Sequence, residues 1–186
     1  MKYVDVVGKI CWGYFFLYIN VYIGSMNILP PWIGFLLIYL ALDGMAAMEP
    51  AAKLLKPFAL LLVAEDICQW GLEIFGATVD LYWINILVAV ISLYFHFQLL
   101  TNLAGSAESQ ESAYSNKLKK LRSMQTVFLT IMALMPVGQK VNISLAESGI
   151  FVFVLGLASV VVMLSICIVL FHYRKELQAM EEKVLS

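Results

Sequence analysis

The chain has 186 residues, of which 62% are hydrophobic and 13% charged, whereas soluble domains carry about 25% charged residues. This composition excludes an ordinary soluble domain and a disordered chain, and a mean hydropathy of +0.86 places the protein in a bilayer. The formal net charge of -1 gives no basis for binding nucleic acid.

Six apolar segments, at 10–24, 31–48, 58–76, 82–104, 124–138 and 149–173, predict an all-α membrane protein. The expected architecture is one polytopic transmembrane domain over 1–173, a bundle of six helices with helical hairpins as its candidate units. Residues 105–123 form a cytoplasmic connector and 174–186 an amphipathic cytoplasmic tail. All Lys and Arg residues except Lys140 fall on one side of this arrangement. The positive-inside rule therefore places both termini in the cytoplasm. The first residues resemble a signal peptide in their charged front and apolar middle, but no small-x-small site follows, so a retained helix is expected.

In helix one, Trp12 and Tyr14 are expected at the inner interface, Tyr22 at the outer one, and Asn20 near the outer end. Pro30 and Pro31 then stop one helix and preset the next. Asp43 ends helix two where it can reach water or Lys53. Helix three starts after Pro57 and carries Glu65, Gln69 and Glu73 at i, i+4, i+8, with Asp66 beside them. At 1.5 Å per residue, Glu65 and Asp66 lie roughly 12 to 14 Å in from Pro57, and Glu73 roughly 24 Å. A carboxylate at the centre of a membrane helix costs roughly 2.5 to 3.5 kcal/mol, so this stripe is the leading site candidate.

Helix four holds Asn85, His96, Gln98 and Thr101. His96 comes about 21 Å down from Tyr82, within a turn of the depth of Glu65, so a contact between the two is geometrically allowed. Helix five is short with Pro136 near its end, and a tilted, broken or thinned crossing is expected. Helix six offers Gly156, Ser159 and Ser165 as small contacts for a neighbour, and its continuation puts Leu177, Met180 and Val184 on one stripe. Asn27-Ile28 and Asn142-Ile143 are each followed by Gly and two Leu at identical offsets, which suggests related hairpins.

Cys11, Cys68 and Cys167 are odd in number, far apart and each inside an apolar run. They make neither a disulfide framework nor a metal motif and read as small buried apolar side chains. No cofactor or metal is expected, and no nucleophile elbow, His-Glu-x-x-His helix or Walker loop occurs. Ser148 and His172 belong to opposite ends of one helix and cannot meet, so the chain is not read as an enzyme.

The candidate intramembrane polar site is thus Glu65, Asp66, Gln69, Glu73, His96 and Asn20. These residues fit a proton- or cation-linked pathway, or a buried network that fixes helix register. A third possibility is a scaffold, sensor or accessory subunit whose partner docks through the basic connector and the tail. The plan of six short helices with both ends inside is similar to the substrate-binding membrane subunits of vitamin uptake systems. That likeness is architectural, carries no motif and transfers no residue role. The short loops suggest a bacterial cytoplasmic membrane.

Overall fold

A computed structural model describes residues 2–19, 22–23, 26–76, 82–140 and 149–185. Apart from a two-residue antiparallel pairing and the turns between elements, the described residues are helical. The helices are α1 (Tyr3–Tyr18), α2 (Trp32–Met45), α3 (Lys56–Ile74), α4 (Tyr82–Ser109), α5 (Ser115–Lys140) and α6 (Gly149–Leu185). Strands β1 (Tyr22–Ile23) and β2 (Met26–Asn27) pair after α1, with Tyr22 opposite Asn27. The first apolar segment is therefore not one helix running to residue 24. A 3₁₀ helix, Pro50–Leu55, joins α2 to α3. Glu49 is extended because a residue before proline is forced out of the helical region, and Pro50 then opens the new turn.

Three of the described helices are long and apolar enough to cross a membrane, over Tyr82–Ser109, Ser115–Gly138 and Gly149–Lys183. At 1.5 Å per residue α1 reaches roughly 24 Å and α2 roughly 21 Å, each less than a hydrocarbon core of about 30 Å. α5 is longer than expected and unbroken through Pro136. Its first turns carry Lys117, Lys119, Lys120 and Arg122, so the expected connector shrinks to a tight turn after α4. In that turn the Ser112 hydroxyl donates to Glu176 of α6 at 2.5 Å and accepts the Tyr114 N–H. The tail likewise is no separate element: α6 continues as one helix of 37 residues.

The core lies at the end of the bundle where the chain termini meet. There Val6, Val7 and Ile10 of α1 pack with Leu42 and Met45 of α2, Leu99 and Leu103 of α4, and Ile166, Leu170 and Tyr173 of α6. Leu177 is buried with them, while Met180 is exposed. The other end is apolar but open: Trp83, Leu87, Leu134, Ile150 and Phe153 are all exposed, as side chains facing acyl chains must be.

α1 and α2 cross closely. A Cβ added at Gly34 would stand 2.5 Å from the Gly13 carbonyl oxygen, so the two backbones touch there. Gly156 meets nothing within 4 Å of where its Cβ would be, and Ser159 and Ser165 donate to Gly156 and Val161 in their own helix. The small residues of the sixth segment therefore do not form the close contact expected of them.

Trp70 ties α3 to the rest by donating from Nε1 to the Asn27 carbonyl at 2.9 Å, with its ring edge-on to Trp32. Trp70→Phe loses both the bond and the pyrrole half of the indole, so we expect it to cost about 2 kcal/mol in thermal unfolding of the solubilised protein.

Candidate functional site

The structure places the sequence candidates on different faces. On α3 the inward face runs Ala59, Leu62, Val63 and then Asp66, at the spacing of one helix side. That face packs chiefly on α2. Asp66 is the one acidic residue of the stripe that continues it, and its Oδ2 is shut off from solvent without a hydrogen-bond partner. As a whole residue Asp66 is half-buried, as are Glu65 and Gln69 on the flank, and Glu73 is exposed. Asn20 lies outside the described residues, as do Asp80 and the 141–148 stretch that holds Asn142, Ile143 and Ser148.

His96 is only 4% exposed, and its surroundings are aromatic. Its Nδ1 is 3.2 Å from the Tyr14 hydroxyl, and the rings of Tyr14, Tyr18, Phe35 and Phe95 surround it. Tyr14 is thus fully buried rather than interfacial. Tyr18 accepts from Gln125 of α5 at 2.8 Å, so polar contacts at this level link α1 to both α4 and α5. No hydrogen bond or ion pair between His96 and Glu65 or Asp66 is present among the described residues. The histidine faces α1 and α2, whereas Asp66 meets α2 from α3.

Asp43 pairs with Lys56 at 2.8 Å, not with Lys53, which is exposed. The 3₁₀ helix turns Lys53 outward and brings the first residue of α3 over the end of α2. The Asp43 carboxylate accepts the hydrogen bond that raises the Lys56 pKa above its ordinary value. Lys2 with Glu181 and Lys119 with Glu108 form further pairs at this end of the bundle.

A second polar cluster was not anticipated. Gln98, Asn102 and Ser106 recur every fourth residue on α4, and Gln98 donates to Asn102 at 3.0 Å. Asn102 Nδ2 is buried without a partner, and the buried Tyr3 hydroxyl sits beside Ser106 and Tyr173. Tyr173 donates to Gln110 nearby at 3.5 Å. The four-residue spacing was the available signal, hidden because Asn102 and Ser106 lie where apolar segment four gives way to the polar connector.

Cys11 and Cys167 are half-buried and close, the Cys11 thiol lying 3.7 Å from the Cys167 carbonyl oxygen. Cys68 is exposed, not buried. Among the described residues no group of three or more His, Cys, Asp or Glu side chains is placed to hold a metal. Comparison with protein-family models, with curated proteins and with solved structures finds no match to this chain. The geometry itself is therefore the basis for a functional reading.

Proposed function

We propose that this is a multi-pass protein of a bacterial cytoplasmic membrane that crosses six times with both termini inside. In this reading it acts without catalysis, as a scaffold, sensor or accessory subunit. The observation that carries it is the enclosure of His96: the imidazole touches a tyrosine hydroxyl and four aromatic rings, and among the described residues no carboxylate is bonded to it. Such a group fixes the register of α1, α2 and α4. The basic first turns of α5 and the projecting end of α6 supply a docking face for a partner. The gathering of Lys2, Lys56, Lys119 and Arg174 at one end of the bundle, around the termini, supports one cytoplasmic side for both; α1 and α2, shorter than the core, then cross where the bilayer is thinned.

A second reading, a proton- or cation-linked transporter or the substrate-binding subunit of an uptake system, draws on the buried, unpartnered oxygen of Asp66. Purified protein in vesicles carrying a proton gradient separates the two. Under the scaffold reading Asp66→Asn changes no flux and leaves the protein as stable or slightly more so, because an uncompensated carboxylate has been removed. A flux that the wild type carries and Asp66→Asn abolishes would instead establish the transport reading.

A further inference from the structure

Arg174 stands at the junction of α1 and α6, and no ion pair answers its charge among the described residues. Its guanidinium lies on Gly8, where an added Cβ would be 3.0 Å from Nε. That Nε is buried and has no hydrogen-bond partner. Two cavities flank it, of about 290 and 560 Å³, and Gly8, Trp12 and Arg174 line both. The smaller continues along Cys11, Phe15, Cys167 and Phe171, and the larger along Phe16 and Leu37. Asp5 and Lys9 also line the larger, so the shared mouth keeps a net positive charge.

Depth gives these cavities a meaning. Counted from Gly149 at 1.5 Å per residue, Arg174 comes roughly 37 Å along α6, beyond a hydrocarbon core of about 30 Å and level with the headgroups. Gly8 is opposite it near the start of α1. From that level both cavities run toward the middle of the bilayer between aromatic and aliphatic walls. The result is one cationic mouth with two apolar branches, which matches a phosphate carrying two acyl chains.

We propose that the α1–α6 groove binds one anionic diacyl phospholipid of the inner leaflet, its phosphate on Arg174 and one chain on each side of Trp12. This rests on the bilayer placement of α6 and is independent of either reading of Asp66 and His96. The phosphate meets the part of the half-buried Arg174 guanidinium that opens on the mouth and answers the charge there.

The test is thermal unfolding of the solubilised full chain titrated with dioleoyl phosphatidylglycerol, with dioleoyl phosphatidylcholine and inorganic phosphate as comparisons. Phosphatidylglycerol should raise Tm saturably, and neither comparison should. Arg174→Gln removes no hydrogen bond among the described residues, so it should fold, and it should weaken the apparent affinity about tenfold. Gly8→Ala, which pushes on the guanidinium, should weaken it in the same direction and decides the matter if Arg174→Gln does not fold. Lys53→Gln, an exposed charge at the same end, should leave the titration unchanged. An equal response to phosphatidylcholine, saturation by phosphate alone, or equal losses in Lys53→Gln and Arg174→Gln would overturn the proposal.

Discussion

Gly34→Ala should be among the most damaging single-methyl additions this protein can suffer. The new Cβ would come 2.5 Å from the Gly13 carbonyl oxygen and 2.7 Å from Leu17 Cγ, well inside any tolerated contact. A flexible side-chain tip could move aside at little cost, but a carbonyl in the middle of α1 moves only with its helix. α1 and α2 must then separate, and the packing of Ile10, Tyr14 and Ile38 against one another loosens with them. Overpacking of this kind costs about 1 to 3 kcal/mol in a soluble core. The upper part of that range is expected, because the displaced atoms belong to backbone. Thermal unfolding in detergent should show a clear fall in Tm, and Gly156→Ala, with open space around it, should show none. Equal tolerance of both substitutions would refute the close crossing of α1 and α2.

What the sequence made legible follows from what hydropathy measures. The apolar runs of α4 and α6 announce themselves, since each exceeds the length needed to cross, and Pro57 marks the start of α3 because a first-turn proline loses no hydrogen bond. Hydropathy is silent where a helix leaves the apolar range. The start of α5 reads as a basic connector until Leu118, Leu121 and Gln125 are seen at i, i+3, i+7, the spacing of the buried side. The site divides in the same way. Depth along a helix can be counted from sequence, so Asp66 and His96 were identifiable as polar residues far from the ends. Rotation about the axis cannot be counted without knowing which neighbour each face meets. For that reason the pairing of His96 with Tyr14 rather than Glu65, and of Asp43 with Lys56 rather than Lys53, emerged only with packing.

His96→Ala should destabilise the protein by about 3 to 4 kcal/mol, and His96→Phe by about 1 kcal/mol. The alanine variant leaves a cavity among Tyr14, Tyr18, Phe35 and Phe95 and strands the Tyr14 hydroxyl without its partner. Phenylalanine also strands the Tyr14 hydroxyl, but it refills the space with a ring that can keep the same edge and face contacts, so the cavity cost is avoided. The difference between the two variants therefore weighs packing against proton chemistry at one position. If His96 holds three helices in register, the phenylalanine variant retains whatever the wild type does in vesicles and unfolds only slightly sooner. A relay needs a ring nitrogen, so a phenylalanine variant that is folded and stable but has lost a wild-type flux would show that His96 carries protons. Because Tyr14, not a carboxylate, is the hydrogen-bond partner of His96, the register role is the result to expect.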